Sequence, residues 1–99
     1  MNIVMTDEFK LYMRRRRRNI ISIMIRIIES GNVGSVKELD IRYNKVPDEV
    51  DKYIHYKIKA IDVYVIKNLK VKNDELILSV KRSPWFLKEL DIKGIELKM

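Results

Sequence analysis

Five consecutive arginines, Arg14 to Arg18, are the side chains of this 99-residue sequence best suited to chemistry, and that chemistry is ionic. A guanidinium is planar, always charged, and presents a fork of N–H donors that matches the oxygens of a phosphate. Between Phe9 and Ile28 the chain carries seven cations, Lys10, Arg14 to Arg18 and Arg26, and no acid. The other fourteen cations are balanced by the fourteen acids, so the whole net charge of +7 sits in one segment. Charge localised in this way marks a surface that faces a partner. The expected partner is nucleic acid, duplex DNA foremost, with an acidic protein or a plain solvated face as alternatives. Such a run holds phosphates and reads no bases, because phosphate contacts position without specifying.

Other reactive groups are scarce. The absence of cysteine excludes disulfides, thiolate metal sites and thiol nucleophiles. His55 is the single histidine and lies in a charged stretch, where it reads as a surface residue. Glu96-Leu97-Lys98, with Asp74 or Asp91 upstream, imitates the acidic-x-lysine element of a metal-dependent nuclease. Patterns this short recur by chance, and two carboxylates with a lysine must converge in space to hold Mg²⁺. The expectation is a binding protein with no catalytic role, no metal and no cofactor.

The arginines must be carried by an element, and the end signals around them favour a helix. Thr6 offers an N-cap hydroxyl, Asp7 and Glu8 complement the positive end of the dipole, and Gly31 offers a stop. Phe9, Tyr12, Met13, Ile20, Met24, Ile27 and Ile28 can share one helical stripe, which predicts a long basic N-terminal helix over residues 7–30. The run Ile20 to Ile28 is also β-branched enough to be a buried strand. On a helix, five successive arginines fan round the axis at ~100° steps, so two or three can face one partner.

Beyond a turn at Gly31 to Gly34, Ser35 and Glu38 form a capping-box pattern that predicts a short helix with Val36 and Leu39 inward. The alternation Leu39, Ile41, Tyr43 competes as a strand. Pro47, Asp48, Glu49 and Asp51 open a longer helical pattern, with Val50, Ile54, Ile58, Ile61, Val65 and Leu69 on one face. Lys52, His55, Lys59, Asp62 and Lys70 fall opposite. A strand reading of residues 53–66 meets a parity shift between Tyr56, Ile58, Ala60 and Ile61, Val63, Val65 that would demand a bulge. Leu69 to Val80, with a turn at Asn73-Asp74, reads as a β-hairpin carrying Lys70, Lys72, Lys81 and Arg82. Those cations suit either a wing against a nucleic-acid backbone or the protection of an exposed edge. Ser83-Pro84 opens an amphipathic segment in which Trp85 and Phe86 plug the core or anchor a protein partner. A strand-like GIELKM closes the chain.

This order of elements, with Ser35-Val36-Lys37-Glu38-Leu39, Val46-Pro47, Val50 and Ile54, resembles the winged helix-turn-helix DNA-binding domains over about residues 20–82. The resemblance implies an α+β fold: a small single domain over residues 1–99 with a helix-turn-helix-like pair and a β-hairpin wing. It also implies a DNA-binding regulator or chromatin-type factor. Lys52, Lys59, Lys70, Lys72, Lys81 and Arg82 would then join Arg14 to Arg18 in contacting nucleic acid. An accessory, non-catalytic subunit of a polymerase, replisome or ribosome is the alternative, and a homodimer stays open.

Two further expectations come from composition. The N-terminus has acids where a secretory signal needs an apolar run, and Ile20 to Ile28 is far shorter than a membrane span, so a soluble cytoplasmic protein is expected. Heavy use of Ile, Lys and Glu, with one Ala, one Thr and no Gln, points to a hot-environment archaeon or a virus of one. An AT-rich genome would enrich Ile, Lys and Asn by itself.

Overall fold

The computed structural model describes residues 1–31, 34–82 and 88–96. The chain is mostly β: strands β1 (Asn2–Met5), β2 (Ile20–Ser30), β3 (Gly34–Tyr43), β4 (Tyr53–Ile58), β5 (Ile61–Ile66), β6 (Glu75–Arg82) and β7 (Lys88–Lys93), with one α-helix, α1 (Asp7–Arg15). Short 3₁₀ turns occupy Val50–Lys52 and Lys72–Asp74. Two compact units result, one from residues 1–17 with 70–96 and one from residues 18–69.

In the first unit β6 lies between β1, which runs parallel to it, and β7, which is antiparallel. Helix α1 follows β1 and packs on β6. It starts as its sequence predicts, with Thr6 Oγ1 accepting the Phe9 amide at 3.1 Å and Asp7 and Glu8 in the first turn. Phe9, Met13, Leu76 and Leu78 are fully buried. Each contributes roughly 1.5–3 kcal/mol, so this small core still outweighs the repulsion among nearby surface charges. Gly94 closes the unit at φ 102°, where a Cβ would collide with the Glu75 carbonyl oxygen.

In the second unit the strand order is β3-β2-β5-β4. β2 and β3 form an antiparallel hairpin, β2 and β5 run parallel, and β4 and β5 form a second hairpin. Ile21, Ile23, Val63 and Val65 build the buried face.

The winged helix-turn-helix architecture is therefore not present. The expected helix over 7–30 ends at Arg15, and Ile20 onward is strand, because alternating β-branched residues pack better on a pleated surface between two partners than on a helix. A helix would have buried Ile20, Met24 and Ile27; in the strand Ile21 and Ile23 are buried instead, Ile20 and Met24 are half-buried and Ile27 is 61% exposed. Ser35 to Leu39 belongs to β3, so the strand alternation overrides the capping box. The longer helix is replaced by β4 and β5. The parity shift that seemed to require a bulge is a chain reversal at Lys59-Ala60, with Lys59 at φ 55° and Ile58 opposite Ile61. The wing is also redrawn: β6 forms, but it pairs with β1 and β7 and not with residues 69–71. Part of the segment read as amphipathic is β7, while Ser83, Pro84, Trp85 and Phe86 lie outside the described residues, as do Leu97 and Lys98. Among the described residues no helix is long and apolar enough to cross a membrane.

Candidate nucleic-acid interface

The arginine run straddles the end of α1. Arg14 and Arg15 are its last helical residues, Arg16 is the C-cap, and Arg17 takes the left-handed conformation at φ 53° with its amide donating to the Arg14 carbonyl at 3.0 Å. That geometry is a Schellman-type ending in which the position usually given to glycine is an arginine. Arg18 starts the second unit. The carbonyl end of α1 carries about half a negative charge, which favours cations here but leaves most of the charge of Arg14 to Arg16 uncompensated.

Arg14 to Arg17 are exposed. Arg16 and Arg18 are seated on rings. The Arg16 guanidinium lies 4.0 Å from the centroid of Tyr12, one helical turn back, and that of Arg18 lies 3.9 Å from the centroid of Tyr43. Each contact contributes about 0.5–1 kcal/mol and fixes where its arginine points. Sequence reasoning missed both rings. The i,i+4 spacing of Tyr12 and Arg16 would have shown the first, whereas the second depends on folding.

Elsewhere several cations meet acids. Lys10 pairs with Asp7, Arg26 with Glu38, Arg42 with Asp40, Lys45 with Asp48 and Lys52 with Glu49. Among the described residues Arg14, Arg15 and Arg16 pair with no carboxylate.

The remaining predicted contacts do not gather into one patch. Lys70 and Lys72 precede β6, whereas Lys81 and Arg82 end it, about 25 Å further along the strand. Lys81 and Arg82 lie opposite Glu89 and Lys88. Lys52 is bound to Glu49 at 2.7 Å; that hydrogen bond and then the carboxylate charge hold its pKa above the ordinary lysine value. Lys59 is exposed on the β4–β5 turn.

The second unit places Ser22, Tyr64 and His55 in one row across β2, β5 and β4. His55 Nε2 lies 2.7 Å from Asp62 Oδ1, and the imidazole stacks on Tyr64 at 4.5 Å between centroids. Ser22 and His55 are nevertheless two strand spacings apart, about 9.6 Å, too far for a nucleophile and base to share a proton. His55 is thus more than a lone surface histidine, yet its partners are a carboxylate and a ring. Among the described residues no three His, Asp or Glu side chains gather as metal ligands.

A family model described as "CC/Se motif containing family" matches residues 1–95 of the chain. No curated protein and no solved structure matches it.

Proposed function

The chain belongs to the CC/Se motif containing family, and for this member, which has no cysteine, we propose a function carried by charge: it binds nucleic acid through the phosphate backbone at Arg14 to Arg17. One observation carries the reading. Arg14, Arg15 and Arg16 are exposed cations without a carboxylate partner, in a protein whose other described arginines and lysines include several neutralised by neighbours. The role is binding without base readout and without catalysis. Duplex DNA is the first substrate to test. Log affinity should fall linearly with log salt at about −0.9 per phosphate contacted. Arg14→Ala with Arg15→Ala should flatten that slope by up to ~1.8 and weaken unrelated sequences equally. An unchanged slope in the folded double variant would remove these residues from the mechanism.

A second reading, a non-catalytic subunit of a nucleoprotein assembly, is favoured by a different observation. Past Ile23 the strand β2 no longer pairs with β5, and residues 24–30 with 34–40 continue as a two-stranded ribbon. On it Ile27, Ile28 and Val36 are 61%, 37% and 47% exposed. Apolar side chains on an unpaired strand edge suit a protein partner better than a phosphate backbone. Sizing the protein alone and in cell extract separates the readings: a shift to a large assembly supports the subunit, whereas a small free protein that binds duplex DNA tightly opposes it.

A further inference from the structure

The polar face of the second unit's sheet holds a cavity of about 280 Å³. β2 supplies its floor through Ser22 and Met24, β3 and the chain after it supply Arg42 and Lys45, and Tyr53 opens β4 on the far side. Four hydrogen-bond donors surround this space: two hydroxyls without a strong acceptor, and two cations whose carboxylate partners are held at long distance.

Ser22 is only 5% exposed, and the described residues offer its hydroxyl no hydrogen-bond partner. No buried side-chain oxygen in the described residues is both sealed and unpartnered, so the remaining surface of Ser22 Oγ opens into the cavity it lines. The Tyr53 hydroxyl donates to the Met24 sulfur at 3.3 Å. A thioether is a weak acceptor, which a phosphate or carbonyl oxygen would readily replace. Arg42 and Lys45 reach Asp40 and Asp48 at 3.4 and 3.7 Å, longer than the 2.7–2.9 Å of a good charge-assisted bond. A cationic pair of hydroxyl-flanked donors calls for a ligand rich in acceptor oxygens.

The two carboxylates on the rim limit what that ligand can be. Glu49 is held by Lys52 at 2.7 Å, which offsets its charge. Asp48 is loosely held, and it would accept hydroxyl protons from the body of the ligand. The volume sits at the lower end of small-molecule sites and admits one compact molecule.

We propose that this cavity binds a sugar phosphate, free or as the sugar-phosphate portion of a nucleoside monophosphate. Its phosphate lies between Arg42 and Lys45 with Ser22 and Tyr53 as further donors, and its sugar hydroxyls face Asp48. The Tyr53 hydroxyl is protonated at neutral pH, as a phenol ordinarily is, and is therefore available as a donor. This site does not rest on the arginine run.

The test is calorimetric titration of the intact protein with ribose 5-phosphate, adenosine 5′-monophosphate, adenosine and inorganic phosphate. Either phosphorylated sugar should bind saturably, and at least tenfold more tightly than adenosine or inorganic phosphate. Ribose 5-phosphate equal to the nucleotide assigns the site to free sugar phosphates; a stronger nucleotide assigns it to nucleotides. Arg42→Ala or Lys45→Ala should weaken binding at least tenfold, and Arg14→Ala with Arg15→Ala should leave it unchanged. Backbone amide shifts in ¹H–¹⁵N spectra of the wild-type protein should map to Ser22, Arg42, Lys45 and Asp48 on addition of the phosphorylated sugar, a readout independent of variant folding. No saturable binding at millimolar ligand, equal binding of inorganic phosphate, or shifts confined to the arginine run would each overturn the proposal. The last result would leave the polyanion reading intact.

Discussion

In residues 18–69 Arg26 meets Glu38, Arg42 meets Asp40, Lys45 meets Asp48 and Lys52 meets Glu49. In residues 1–17 and 70–96 eleven cations face seven acids, and Arg14, Arg15 and Arg16 meet none of them. Both units have small apolar cores, and the contrast of interest lies in how charge is disposed on the surface. Paired charges contribute about 0–1 kcal/mol each and are screened by salt, so their loss is tolerable. Unpaired charges clustered on a helix end repel one another and are relieved by a polyanion. The difference separates cations that a carboxylate of their own unit already holds from exposed cations that none holds.

The largest effects should come from the cores, where the two units behave alike. Ile23→Asp places a carboxylate where a fully buried aliphatic stood and should cost upwards of about 4 kcal/mol, enough to unfold a domain of this size. Gly94→Ala should be similarly damaging in the first unit, because both φ and the Glu75 carbonyl oppose a side chain. Ile27→Asp, 61% exposed, should change stability by less than about 1 kcal/mol. Urea unfolding of the three variants checks this. Collapse of Ile27→Asp would mean that the ribbon is covered in solution.

That last pair shows what the sequence could and could not disclose. The start of α1 was legible because its signals are local: Thr6, Asp7 and Glu8 act on the first turn and need nothing else. The identity of Ile20 to Ile28 was not, because a β-branched run fits a helix stripe or a buried strand, and the choice depends on β3 and β5 as partners. Residues 53–66 held their answer in plain view: the parity shift at Lys59-Ala60 marks a hairpin as readily as a bulge, and a regular helical spacing masked it. The arginine run was legible as charge, but the seating of Arg18 on Tyr43 depends on β3 folding beside it. The donors around Ser22 come from β2, β3 and β4, and no spacing along the chain announces them.

A middle-sized effect tests the charge contrast directly. Arg14→Ala with Arg15→Ala should weaken duplex DNA binding about tenfold or more at low salt, whereas Lys52→Ala with Lys59→Ala should change it less than about twofold. Fluorescence anisotropy at several salt concentrations reads both. Equal losses would erase the distinction between the units and spread the footprint over the whole basic surface. Arg17→Gly should act in the opposite sense on stability. It relieves a left-handed arginine at the helix end and should stabilise the fold by about 0.5–1 kcal/mol, seen as a higher Tm.

The smallest effect concerns alkaline pH and belongs to the second unit alone. Burial disfavours the tyrosinate of Tyr53, so its pKa is raised above the ordinary value of about 10, with the Arg42 charge pulling the other way. The folded state therefore holds this proton more tightly than the unfolded chain does. Its contribution is fully present below about pH 10 and is lost as pH rises through the folded value. Lys52 is displaced in the same direction by Glu49, but it is exposed and screened. Melting temperature should fall above pH 10 in the wild-type protein, and the fall should be shallower in Tyr53→Phe. Because phenylalanine keeps the ring and loses only the hydroxyl bonded to a weak thioether acceptor, the variant should melt within a few degrees of wild type at pH 7. An alkaline fall of equal steepness in both proteins would place the responsible proton elsewhere and show that Tyr53 is solvated in the folded chain.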